Sequence, residues 1–88
     1  MNECQTKMRV RLSVLEPALL DIIDESHKHA GHAGARDGGG HYVLHIASVQ
    51  FVGKNTVARH RMIYSALGEM MKKEIHALTI QAHTPDEI

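Results

Sequence analysis

Cys4, Met8, Leu12 and Leu15 recur at intervals of four, four and three, a spacing that lines one side of a helix. Pro17 closes it, because the residue before a proline is steered away from helical geometry. Leu20 to Glu25 is short, contains Ile22 and Ile23 and runs into a polar break, which predicts a first strand. From His41 to Ser48 the chain alternates, with Tyr42, Leu44 and Ile46 on one side and Val43, His45 and Ala47 on the other. That pattern predicts a second strand. Asn55 stands where its side-chain oxygen can accept from an orphaned amide at the start of a helix running to about Lys72 or Lys73. Along this helix Val57, His60, Ile63, Tyr64, Leu67, Met70 and Met71 form one broad stripe, with His60 near its middle. Ala58, Met62, Ser65, Glu69, Lys72 and Lys73 fall on the opposite side, and Arg59 and Arg61 on the two borders. A third strand is predicted from about His76 to His83, with Leu78 and Ile80 on one face, and Pro85 ends it.

Between Ser26 and Gly40 lie fifteen residues with five glycines and no periodicity that would bury a face. The stretch reads as a loop, and it carries His27, His29 and His32. Helix, strand, strand, helix, strand describes an α+β fold with helices packed on one face of a three-stranded mixed sheet. The helix between strands two and three returns the chain, so these two strands run parallel and begin at the same edge. The loop empties into the start of strand two. His76, at the start of strand three, is therefore expected on the same edge as the loop histidines.

Composition narrows the function classes. A chain of 88 residues has room for one modest core, so residues 1–88 are expected to form a single domain. Ten Lys plus Arg balance ten Asp plus Glu, which removes any whole-molecule field toward nucleic acid or membrane and leaves only local patches. Cys4 is the one cysteine and has no internal disulfide partner. With no signal peptide or bilayer-length apolar run legible, a reducing, cytoplasmic setting is the expectation. Eight histidines add groups that titrate near physiological pH.

Several segments together resemble the BolA family over nearly the whole chain. They are Asp24-Glu25-Ser26, Gly40-His41-Tyr42, Phe51-Val52-Gly53-Lys54, Arg59-His60-Arg61-Met62-Ile63-Tyr64, Ile75-His76-Ala77-Leu78 and the closing Thr84-Pro85-Asp86-Glu87. The resemblance implies a fold like the class II KH domain. It also implies partnership with a monothiol glutaredoxin around a bridging 2Fe–2S cluster, a role in iron–sulfur trafficking or iron sensing, and DNA as a further partner. In such a complex the resemblance implies two ligands from this chain. One is His76, which takes the place of the motif histidine. The other is a histidine of the loop, which His29 matches most closely, with His27 and His32 near enough to leave the choice open. Imidazole nitrogen can replace thiolate on one iron of such a centre. The resemblance assigns the other iron to the partner's cysteine and a glutathione thiolate. No cluster is expected in the isolated domain, which has no thiol besides Cys4.

Other residues invite bland readings. His60, among Val57, Tyr64 and Leu67, is expected to be a core histidine, and Cys4, on the apolar stripe of the first helix, a small buried hydrophobe. The His27-x-His29-x-x-His32 run has the donors to pick up zinc adventitiously. Lys54, Arg59 and Arg61 make a local positive patch with no acid between Gln50 and Gly68. Together with the Gly53 turn they carry the alternative reading, a DNA-binding transcriptional regulator using Gly53, Lys54, Arg59 and Arg61. Against it, Gly53-Lys54-Asn55-Thr56 lacks the second glycine of a GXXG loop, and two tyrosines and one phenylalanine offer little base stacking. The same turn is no phosphate-binding P-loop, since the earlier glycine position is Ser48 and Asn55 follows the lysine. With no nucleophile elbow, paired carboxylates or Cys–His constellation, an enzyme is not expected.

Overall fold

The computed structural model describes residues 2–26 and 40–88. Helix α1 (Glu3–Leu12) runs into a 3-10 turn (Ser13–Leu15), followed by β1 (Leu19–Asp24) and β2 (Gly40–Ala47). A short 3-10 turn (Val49–Phe51) leads to α2 (Thr56–Leu67), which tightens into a 3-10 segment (Gly68–Lys72) before β3 (Ile75–His83) and a last turn (Pro85–Glu87). Among the described residues no helix is long and apolar enough to cross a membrane.

Local chemistry sets the ends of these elements. Asn2 and Gln5 form a reciprocal capping box at α1, each side chain accepting from the other's backbone N–H at 2.8 Å. The helical run ends where Glu16, ahead of Pro17, turns into the left-handed region at φ 49°. Asn55 caps α2 by accepting from Ala58 N–H at 2.8 Å, and Gly68 stops it at φ 59°, a conformation that favours glycine.

The sheet order is β1-β2-β3, with β1 antiparallel and β3 parallel to the central β2. Register sets Ile22 beside Leu44 and Leu44 beside Ile80, and likewise Leu20, Ile46 and Ala82, on the face the helices cover. Met8, Leu12 and Leu15 come down on this face from α1 and its extension, and Ile63, Leu67 and Met70 from α2 and its extension. Phe51 closes the core beside them. Burying each such side chain is worth about 1.5–3 kcal/mol. Ser48 is buried at the far end of β2, where its hydroxyl donates to Leu15 C=O and its N–H donates to His83 C=O at 2.9 Å. It ties the end of the first helical run to two strands.

Each strand begins one residue before its expected start, a difference of the size that fraying ends produce. The face of α2 differs more. Ile63 and Leu67 are fully buried and Met62 and Ala66 pack against the core, whereas Val57 is 58% and Tyr64 42% exposed. His60 is only half-buried, edge-on to Tyr64 with ring centroids 6.4 Å apart, so it is not a core histidine. The expected stripe averaged Met70 and Met71 with the helix proper. Those two belong to the 3-10 segment, whose tighter winding advances each residue further around the axis and skews the averaged direction.

Gly40 sits against the ring of Tyr42, which is itself buried. A Cβ at Gly40 would overlap Tyr42 Cε2. Gly40→Ala is expected to destabilise the protein by about 1–3 kcal/mol, the usual cost of overpacking. Urea unfolding checks this as a lowered midpoint with an unchanged slope.

Candidate functional site

The starts of β2 and β3 and the end of β1 meet at one rim of the sheet. Gly40 pairs with Ile75, and its N–H donates to Glu74 C=O at 2.9 Å. Just past β1, Glu25 N–H donates to His41 C=O at 2.8 Å, and His41 N–H in turn donates to Ser26 Oγ at 3.0 Å. Ser26 N–H is held by Asp24 Oδ1 at 2.8 Å. Ser26 and Gly40 flank residues 27–39, so both attachment points of that segment are fixed at the rim that carries His76. His27, His29 and His32 lie outside the described residues.

His76 owes its exposure to an irregularity in pairing. Strict alternation back from Leu78 and Ile80 would turn it toward the core. Instead the register shifts between Gly40 and His41, so that Gly40 faces Ile75 but His41 faces Ala77. An extra residue of this kind re-aims the side chains around it. Ile75 becomes 2% exposed, filling the core, and His76 is exposed. A signal for this lay in the sequence: Ile75 is apolar but out of phase with Leu78 and Ile80, a conflict that one inserted residue resolves.

The surrounding groups brace the rim. Lys7 Nζ lies 2.9 Å from Glu74 Oε2 and, by that hydrogen bond first, holds the Glu74 carboxyl below the usual range. Tyr42 is 4% exposed. Burial first, then its contact with Cys4, pushes its phenol up to about 12, so it stays a neutral hydroxyl. Asn2 Nδ2 donates to that hydroxyl at 3.4 Å and to Asp24 Oδ2 at 2.9 Å. Cys4 is half-buried against the core. Among the described residues no group of three or more His, Cys, Asp or Glu side chains is gathered to hold a metal. At the described rim His76 is exposed. The half-buried His41, on the adjacent strand, is the rim residue that sequence reasoning did not weigh.

The positive turn is organised differently from expectation. Gly53 adopts φ 77° and is exposed, as are Lys54 and Arg61. Arg59 is not a free cation. Its Nη1 and Nη2 reach Glu87 Oε1 and Oε2 at 2.8 and 3.3 Å, Nη1 also donates to Ala82 C=O at 3.1 Å, and Nε donates to Lys54 C=O at 2.9 Å. The guanidinium lies 6.0 Å from the Phe51 ring centroid, and the side chain is 14% exposed. The acid missing from the neighbourhood in sequence arrives from the other end of the chain. Arg61 instead edges a shallow depression lined by Val14, Leu15, Met62, Ser65 and Ala66. The patch thus reduces to Lys54 and Arg61.

The family model for BolA-like proteins matches residues 12–87. The chain is 44% identical to "SufE-like protein 1, chloroplastic/mitochondrial" of Arabidopsis thaliana over 89 aligned residues, covering 92% of this chain but 24% of that relative's length. It is 35% identical to "DNA-binding transcriptional regulator BolA" of Escherichia coli (strain K12), covering 85% of this chain and 69% of that one. Among solved structures, the BolA domain of SufE1 from Arabidopsis thaliana superposes with a TM-score of 0.88 at 40% identity, over 100% of this chain and 99% of that chain.

The Arg59–Glu87 contact has a defined pH signature. Arg59 first, then Thr84 N–H at 2.8 Å, hold the Glu87 carboxyl down to about 2 from its ordinary 4.5. A carboxyl depressed on folding contributes stability that is present above its unfolded value and is lost as pH falls through the folded one. The stability difference between wild type and Glu87→Gln should accordingly shrink as pH falls from about 5 toward 2, within the window set by these two values. In an NMR titration the Glu87 carboxyl should move back toward 4.5 in Arg59→Ala.

Proposed function

Because the chain belongs to the BolA-like protein family, we propose that it acts as an adaptor that pairs with a monothiol glutaredoxin and co-ligates a bridging 2Fe–2S cluster, for iron–sulfur trafficking or iron sensing. The observation that carries this reading is His76, turned out of the core at the rim where Ser26 and Gly40 are pinned. His29, three residues beyond Ser26, is the proposed second ligand, and three residues of chain reach at most about 11 Å. Neutral imidazole is a competent ligand for one iron of such a cluster. The partner's cysteine and glutathione would supply the thiolates this chain lacks. The cluster is cargo in this reading, and residues 1–88 act as one BolA-like domain in a reducing compartment such as the cytoplasm. The family is non-enzymatic, in keeping with a binding role.

A second reading, a DNA-binding transcriptional regulator, draws on the name of the Escherichia coli relative and on the exposed Gly53, Lys54 and Arg61. With Arg59 tied to Glu87, phosphate contacts would fall to Lys54 and Arg61. If DNA is the partner, Lys54→Ala and Arg61→Ala should each weaken binding across all sequences and flatten its salt dependence by roughly one phosphate.

Anaerobic co-reconstitution with a monothiol glutaredoxin, iron, sulfide and glutathione tests the adaptor reading. His76→Ala should lose or alter the visible absorption of the mixed complex while far-UV circular dichroism stays native. His29→Ala should do the same, and His27→Ala and His32→Ala should not. A spectrum indifferent to His76 would sink the proposal. Acidification toward pH 5 should also change the spectrum, because protonated imidazole does not bind metal.

A further inference from the structure

The two edges of the sheet are treated differently. On the outer side of β1, the carbonyls of Leu20 and Ile22 are occupied by α1 side chains, Arg9 Nη1 at 3.2 Å and Gln5 Nε2 at 3.1 Å. β1 also carries Asp21 and Asp24, the kind of charge that discourages further pairing. β3 forms the opposite edge and contains no Lys, Arg, Asp, Glu or Pro in Ile75–His83. Its ends are blunted, by the extra residue at His76 and by Arg59 on the Ala82 carbonyl. Among the described residues nothing blunts its middle, Ala77 to Gln81.

Which backbone groups face outward follows from the ladder. His83 C=O points inward, accepting from Ser48 N–H at 2.9 Å. Carbonyls alternate along a strand, so those of Gln81, Thr79 and Ala77 also point to β2 and those of Ala82, Ile80 and Leu78 point away. Arg59 reaching Ala82 from outside the ladder agrees. Among the described residues no strand pairs on that side, so Leu78 and Ile80 present N–H and C=O at this edge.

We infer that this edge pairs antiparallel with the same edge of a second copy of the chain, continuing the sheet across a two-fold axis at Thr79. The register selects itself. Centring on Ile80 would need the Ala82 carbonyl, which Arg59 holds, and centring on Leu78 would set the irregular His76 against Ile80. Centring on Thr79 sets Leu78 of one copy against Ile80 of the other, twice, each pair exchanging both backbone bonds. The side chains fit this arrangement. Leu78 and Ile80 are half-buried on the covered face and would extend the core across the junction. Thr79 meets Thr79 and Ala77 meets Gln81 on the open face, and no like charges oppose each other.

Sedimentation of the full chain from micromolar to millimolar concentration tests this, with circular dichroism confirming that each variant is folded. Wild type should show a monomer–dimer equilibrium. Thr79 is exposed, so Thr79→Lys and Thr79→Glu should each stay folded yet weaken dimerisation at least tenfold, because like charges then face each other across the axis. An equimolar mixture of the two should restore it. Ile23→Asp, on the open face of the far strand where Ile23 is 48% exposed, should dimerise as wild type does. A wild type that is monomeric throughout, Thr79 variants that dimerise unchanged, a mixture that restores nothing, or dimerisation lost in Ile23→Asp would each overturn the inference.

Discussion

Parallel strands cannot be joined by a tight turn, so β2 and β3 depend on the crossover through α2, and everything at the candidate site depends on that pairing. The crossover brings the chain back to the rim where β2 began. There Gly40, pressed against Tyr42 and bonded to Glu74, fixes how the two strands start, and the register shift beside it sends Ile75 inward and His76 outward. Core packing and presentation of the histidine are thus two results of one constraint. If the shift were absent, the alternation that buries Leu78 and Ile80 would bury His76 too.

Electrostatics is settled by a contact between distant parts of the chain. Arg59 fastens α2 to the end of β3 and to the closing turn, and Glu87 meets it with both oxygens. This spends a cation that a local reading assigns to a binding patch. It also covers the Ala82 end of the β3 edge. The rim with His76 and the turn with Lys54 lie toward opposite ends of β2, which keeps the two proposed kinds of partner apart.

Much of this architecture is legible in the residues. Alternation at Tyr42, Leu44 and Ile46 finds the central strand, Asn55 marks the start of α2, and element order yields the parallel pairing and the shared edge. What local patterning misses are effects that arise between segments. The rotation of the α2 face, which leaves His60 half-buried, follows from a change of helix type that period counting averages away. The neutralisation of Arg59 comes from an acid 28 residues on. The exposure of His76 rests on an irregular register, visible beforehand only as a phase conflict at Ile75.

In the proposed complex a cluster shared with another protein sits at the rim of Ser26, Gly40 and His76. Paramagnetic broadening in a 15N NMR spectrum of this chain, bound to a cluster-loaded monothiol glutaredoxin, maps that position directly. Amide signals of Ser26, His41 and Glu74 to Ala77 should broaden while those of Gly53, Lys54 and Arg61 stay sharp; broadening centred on Gly53 and Lys54 instead would rule that position out.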